Sequence, residues 1–212
     1  MEIQRTANAG VLLTLDGTKL LLDGLCDGVD GYLPTPPEML GMLWDKAPDA
    51  LLFTHRHADH YSSTLVSQYT KRNLRPIYGP ESVYGGPFRI GNLNVTPIPS
   101  RHIGKTEPGL THHSFIVEGS KCVWFVGDAT PTQWRGREDL RKPDVLIAPY
   151  AYANTKTGWE TACSLTENLV LLHLPAENSD PYGLRKQVAE TVSSMPKIQV
   201  FLPNIGETVK IK

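Results

Sequence analysis

The 212-residue chain is 40% hydrophobic and 20% charged, an ordinary globular balance with enough apolar material for a sizeable core. Its 21 Lys and Arg against 22 Asp and Glu leave a formal charge of -1, which excludes a global electrostatic grip on nucleic acid and leaves only a local basic patch for that purpose. Apolar runs stop at about six residues, against the ~20 that span a bilayer, so no membrane partner is expected.

The start, Met1-Glu2-Ile3-Gln4-Arg5, leads into no long apolar stretch, and no signal peptide is expected. Strands are expected at Val11 to Leu15 and Lys19 to Leu22, a helix at Pro37 to Asp45, a strand at Ala50 to Thr54 and a helix at Ser62 to Arg72. Strands follow at Asn94 to Ile98, His113 to Val117, Cys122 to Val126 and Val145 to Ile147. Helices at Trp159 to Leu169 and Tyr182 to Met195, then a strand at Val200 to Leu202, complete the series. Ser63 and Asp180 are candidate caps. Leu20-Leu21-Leu22 and Val123-Trp124-Phe125-Val126 are apolar without alternation, which implies strands covered on both faces.

No linker or low-complexity segment divides the chain, and residues 1–212 read as one domain. Cys26, Cys122 and Cys163 form no CxxC pair, so a thiolate zinc site is not indicated; reduced, structural cysteines of a cytoplasmic protein fit better. Two segments resemble each other: Leu15-Asp16-Gly17-Thr18-Lys19 runs into an apolar strand ending at Asp23, and Val117-Glu118-Gly119-Ser120-Lys121 into one ending at Gly127-Asp128. The pair reads either as a duplicated half-domain with a site between the halves or as two instances of a common hairpin turn.

The chemistry concentrates in His55-Arg56-His57-Ala58-Asp59-His60. Three of the seven histidines fall here with an aspartate, directly after the apolar Leu51-Leu52-Phe53. A strand end feeding a loop lets His55 and His57 face one ion and Asp59 and His60 a second. Imidazole and carboxylate together suit zinc, iron or manganese.

Thr54-His55-Arg56-His57-Ala58-Asp59-His60 resembles the signature of the metallo-β-lactamase-fold superfamily, and further matches follow in the family's order. They are His102 in Pro99-Ser100-Arg101-His102, Asp128 after Trp124-Phe125-Val126-Gly127, and His173 after Leu169-Val170-Leu171-Leu172. Leu22-Asp23-Gly24 is similar to the family's first motif, whose aspartate supports the metal loop. Asn204-Ile205-Gly206-Glu207 is similar to its Gly-Glu ending. The resemblance implies an α/β (α+β) four-layer αββα sandwich of two mixed sheets with helices outside. It also implies two divalent metal ions, zinc or else manganese or iron. His55, His57 and His102 would bind one, Asp59, His60 and His173 the other, and Asp128 would bridge. His112 and His113 compete with His102 for the third position, contact substrate as the family's members often do there, or serve a structural or surface role. After His173 the chain continues Leu174-Pro175-Ala176-Glu177, where the family often has a small residue and a threonine, which makes the second ion the weaker one.

The reaction implied is hydrolysis of an ester, lactone or phosphoester in a small molecule, with Asp59 orienting the nucleophile or moving its proton. The nearest resemblance is to small hydrolases related to ascorbate-6-phosphate lactonase. His57 stands where the diiron oxygen-reducing branch usually has glutamate, which argues against redox chemistry. A nuclease on the same fold, an iron oxidoreductase and a non-catalytic metal-binding module are the alternatives. Arg101, Lys105, Arg135 and Arg137 offer positive charge for a substrate anion, with solvated surface charge as the alternative. Trp134, Tyr150, Tyr152 and Trp159 line a pocket or pack in the core. Oligomeric state is left open.

Overall fold

The computed structural model describes residues 1–83, 86–104, 107–175, 180–194 and 197–212. β1 (Glu2–Arg5), β2 (Val11–Leu15) and β3 (Thr18–Leu22) pair antiparallel. β4 (Ala50–Leu52) and β5 (Ile77–Tyr78) then add in parallel, and β13 (Thr208–Lys210) closes the other edge against β1. In the second sheet β6 (Phe88–Ile90), β7 (Leu93–Pro99), β8 (His113–Glu118) and β9 (Cys122–Phe125) run antiparallel. β10 (Val145–Pro149), β11 (Asn168–Leu172) and β12 (Gln199–Phe201) continue it in parallel. The order antiparallel, antiparallel, parallel, parallel therefore runs through β1 to β5 and again through β7 to β11. The two similar segments fall on equivalent hairpins, β2–β3 and β8–β9. Their turns touch: the Asp16 carboxylate accepts from the Ser120 N–H at 2.6 Å and the Ser120 hydroxyl at 2.5 Å.

Three apolar clusters define four layers. Leu20, Leu22, Val11 and Leu13 of the first sheet meet Val123, Phe125, Phe115 and Ile147 of the second in a core between the sheets. Leu21, Leu12 and Leu51 point the opposite way, onto Leu43 of α1 (Pro37–Lys46) and Val66 and Tyr69 of α2 (Ser63–Arg72). Trp124, Leu146 and Leu171 face outward from the second sheet. They meet Tyr152 of α3 (Ala151–Asn154), Trp159 and Ala162 of α4 (Lys156–Leu165), and Val188 of α5 (Leu184–Ser194). The unbroken apolar runs follow from this: both faces of β3 and β9 are covered, so alternation has no solvent side to mark. Leu20, Leu21 and Leu22 are each 0% exposed, and truncating such a side chain costs about 2–5 kcal/mol.

Two expectations need correcting. The helix drawn from Trp159 to Leu169 ends at Leu165, and Asn168 to Leu172 is strand. Thr166 makes the break, its hydroxyl accepting the Asn168 N–H at 3.1 Å in place of a helical carbonyl. The cap of α2 is Ser62, not Ser63: Ser62 Oγ accepts the Leu65 N–H at 3.1 Å. Asp180 serves α5 as expected, accepting from the Leu184 and Arg185 N–H groups at 2.9 Å each. No helix among the described residues is long and apolar enough to cross a membrane.

Candidate metal centre

The clustered histidines and aspartates lie at one end of the sandwich, where strands of both sheets stop. β4 leaves its sheet at Phe53-Thr54 and delivers His55. A tight turn follows, with the His60 and Tyr61 N–H groups on the His57 carbonyl at 3.0 and 2.9 Å, and it folds Asp59 and His60 back beside His55. From the second sheet, β9 delivers Asp128 through Gly127. The segment holding His102 pairs with that stretch, Ile103 N–H to Asp128 O at 2.8 Å and Thr130 N–H to Arg101 O at 2.7 Å. β11 delivers His173. Gly127 has φ +53°, and a Cβ there would lie 2.7 Å from the Thr54 side chain, so the two halves close on each other only because this residue is glycine. Asp23 and His173 hold left-handed backbones without being glycine, at φ +48° and +61°. Such strain costs about 1–2 kcal/mol per residue and concentrates at functional sites.

Hydrogen bonding fixes the ring tautomers. Asp23 is fully buried; its Oδ1 accepts the Thr54 N–H at 2.8 Å and its Oδ2 accepts the Thr54 hydroxyl at 2.6 Å. The hydroxyl has one proton and gives it to Asp23, so at 2.9 Å it can only accept from His55 Nδ1–H. His60 Nδ1 likewise donates to Asp23 Oδ2 at 2.8 Å, and His102 Nδ1 to the Ile103 carbonyl at 2.5 Å. In all three rings the proton sits on Nδ1 and the lone pair on Nε2. A proton pinned on the outer nitrogen is what orients a metal-binding imidazole.

Those lone pairs converge. Asp128 Oδ2 lies 3.5 Å from His60 Nε2, 3.5 Å from His102 Nε2 and 3.4 Å from His173 Nε2. Asp59 Oδ2 is 2.9 Å from His173 Nε2 and 3.9 Å from His60 Nε2, and His55 Nε2 is 3.1 Å from His57 Nδ1. Bonds of about 2.0–2.1 Å at tetrahedral angles place ligand atoms about 3.3–3.4 Å apart. The spacing therefore suits a shared cation. Three donor groups among the described residues lie close enough to share an ion: His55, His57 and His102; Asp59, His60 and His173; and Asp23, His55 and His60, in which Asp23 is already bonded to His60 Nδ1. Buried Nε2 atoms of His60, His102 and His173, with Asp128 Oδ1, lack a hydrogen-bond partner among the described residues. Unpaired buried acceptors in this number are costly unless a cation completes them. The residues fit divalent metal ions.

The field agrees. Burial opposes charge on both His60 and Asp128, yet the Asp128 and Asp23 carboxylates outweigh it and raise His60, while His173 and His60 hold Asp128 well below the usual carboxylate range. Burial also opposes ionisation of Asp59, and His173 outweighs it and lowers that acid. His55 is kept neutral by burial, then by its histidine neighbours. The pocket favours added positive charge.

The remaining expected residues divide. His112 is buried with both ring nitrogens used. Nε2 accepts the Asp128 N–H at 3.1 Å, and Nδ1 donates to Ser100 Oγ at 2.7 Å; Ser100 bonds Ser114 Oγ, which donates to the Val126 carbonyl. Burial pushes this imidazole down to about 3, so it stays neutral and steadies the Asp128 loop. His113 is also buried, on the far side of Thr54, whose carbonyl accepts its N–H at 2.9 Å. Arg101 is exposed beside His102. Arg135 pairs with Glu160 and Arg137 with Asp139, which leaves them as surface charge; Lys105 lies outside the described residues, as do Ala176 and Glu177. Trp134, Tyr152 and Trp159 belong to the outer core, whereas the Tyr150 ring faces His173 at 6.3 Å.

Two supports carry no motif. The buried Arg5 guanidinium donates to the carbonyls of Ala7, Asn8 and Pro203 at 3.1, 2.9 and 3.0 Å, and Asn8 O also accepts the His173 N–H at 3.2 Å. Burial pushes Arg5 down to about 10, which leaves it charged at neutral pH. The second is Tyr32, whose ring meets His173 edge-on at 4.4 Å.

A family model for the beta-lactamase superfamily domain matches residues 2–171. A metal-dependent hydrolase of Methanopyrus kandleri is 24% identical over 219 residues, covering 90% of this chain and 92% of its own. A Veillonella parvula structure superimposes with TM-score 0.72 at 17% identity over 100% of this chain and 99% of that one. A metallo hydrolase from Ignicoccus hospitalis does so with TM-score 0.67 at 18% identity, over 100% and 99%. These two likenesses concern the fold.

Proposed function

Because this chain belongs to the beta-lactamase superfamily and is a metal-dependent hydrolase, we propose that its His–Asp cluster holds two divalent cations and cleaves an ester, lactone or phosphoester of a small molecule. In this reading residues 1–212 act as one domain, since donors from both sheets meet in one centre. His55, His57 and His102 would hold one ion, Asp59, His60 and His173 the other, and Asp128 would bridge. The donor set suits zinc, with manganese and iron as alternatives. Such ions polarise a substrate oxygen and lower the pKa of water at the centre toward neutrality.

The chain's own groups supply the rest. Asp23 keeps the proton on His60 Nδ1, Thr54 keeps it on His55 Nδ1, and His112 steadies the Asp128 backbone. The Asp59 carboxylate, on the turn between the two donor groups, orients the attacking water and takes its proton. The observation that carries the reading is the single oxygen, Asp128 Oδ2, at 3.4–3.5 Å from three imidazole Nε2 atoms.

Metal analysis is expected to return about two ions per chain, and a panel of carboxylic esters, lactones and phosphodiesters to reveal turnover abolished by chelation. No turnover of any class by fully metallated protein overturns the reading. Asp59→Asn is expected to lower turnover more than metal content, and equal loss of both would remove Asp59 from the proton path.

A further inference from the structure

Beside the cluster lies a cleft of about 400 Å3, within the range of small-molecule sites. Tyr32, Pro175, Pro181 and Tyr182 give it apolar and aromatic walls, and its charged lining residues are the carboxylates of Asp30 and Asp180. No cation lines it among the described residues. Tyr182 is 78% exposed and the neighbouring Leu33 53%, a cost in water that an occupant would remove. One ring stands between the cleft and the centre: Tyr32 forms the cleft's wall and packs edge-on against His173 at 4.4 Å.

Tyr32 is held where it stands. The Val29 and Tyr32 N–H groups each bond the other's carbonyl, at 3.0 and 2.8 Å, across Asp30-Gly31, and Gly31 takes φ +83°. The loop is tied to the histidine turn, since the Asp27 N–H donates to the Ala58 carbonyl at 2.8 Å. Thr35 Oγ1 pins its far end by accepting the Cys26 N–H and donating to the Gly24 carbonyl, at 2.9 and 3.1 Å. A tyrosine presented on such a braced turn offers a flat apolar surface with a hydroxyl at its rim, at little entropic cost.

We propose that this cleft receives the apolar acyl or aryl group of an uncharged carboxylic ester or lactone, with Tyr32 as the specificity-determining residue between it and the metal centre. The inference rests on the hydrolytic reading above and narrows it. Among the described residues the lining offers no cation to hold the anionic part of a phosphoester, Arg185 being turned onto the Pro175 carbonyl at 3.0 Å, while the aromatic walls reward apolar area.

The test is a series of p-nitrophenyl esters, acetyl to hexanoyl, beside bis(p-nitrophenyl) phosphate, on the zinc-loaded full-length chain. kcat/KM is expected to rise up to about fourfold per added methylene, the limit for full burial. The hexanoyl-to-acetyl ratio should fall several-fold toward one in Tyr182→Asp and in Tyr32→Ala, each read as a ratio so that lost protein cancels. A ratio near one in the wild type, or unmoved in both variants, overturns the cleft. So does a phosphodiester turned over faster than every carboxylic ester. A second arm is independent of hydrolysis: benzyl alcohol should shift the ring resonances of Tyr32 and Tyr182 ahead of other tyrosines, and a shift of neither overturns the proposal. A shift without turnover of any ester sinks the hydrolytic reading and leaves the cleft standing.

Discussion

Asp23 and Asp128 occupy equivalent places, each just past the second strand of its hairpin, and they have opposite surroundings. Asp23 accepts three hydrogen bonds from within the chain, from the Thr54 N–H, the Thr54 hydroxyl and His60 Nδ1. Asp128 faces three imidazole Nε2 atoms, and its Oδ1 lacks a partner among the described residues. The difference separates two jobs that sequence position cannot. A carboxylate paired on both oxygens by its own protein holds other groups in place; one left with an unpartnered oxygen suits a cation.

The largest expected effect follows from that contrast. Asp128→Ala should remove metal measured after dialysis and lower kcat by about 100- to 1000-fold or more, the scale of losing a main electrostatic contact. Retained metal and activity would dissolve the distinction. Asp23→Asn should be milder, weakening metal affinity about 10- to 100-fold, because an amide donor facing the Thr54 hydroxyl or His60 Nδ1–H disturbs the tautomers without removing a donor atom. Competition with a metal-sensitive dye measures it, and a loss as large as that of Asp128→Ala would make the two aspartates equivalent after all.

The smallest effect is at the opposite end of the hairpins, where the halves touch without chemistry. The Ser120 hydroxyl, then its N–H, hold the exposed Asp16 carboxylate below its ordinary range. A depressed folded pKa gives stability that is present above the unfolded value of about 3.9 and lost as pH falls through the folded one. The Tm gap between wild type and Asp16→Asn should therefore be small at neutral pH and close as pH falls through the lowered folded value. A gap independent of pH would show that the charge is not what joins the turns.

Much of the centre was legible because its donors follow strands whose apolar runs are unmistakable. His55 to His60 come after Leu51-Leu52-Phe53, and Asp128 after Val123 to Val126. The duplicated architecture was half legible: the two turns resemble each other, but the matching pairing order of the sheets is a property of long-range partners. β1, β5 and β13 escaped notice because they are short, and β13 alternates around one buried valine. β11 was partly absorbed into a helix because nothing apolar distinguishes Leu165 from Leu169, and only the Thr166 hydroxyl turns the chain. The bond from the Asp128 N–H to His112 had no local pattern, because the two residues lie sixteen apart in the chain. Tyr32 and Arg5 had no local pattern at all, since each acts through His173 across the whole fold.

Arg5 also bears on the order of events during synthesis. Its guanidinium needs the Pro203 carbonyl, β1 needs β13, and the loop it braces holds His173. On the ribosome, the His55 to His60 run emerges long before His173, Pro203 or β13. An early nascent chain can offer that run only as loose, weakly gripping imidazoles, and the rigid cage closes only once the distal segments have arrived.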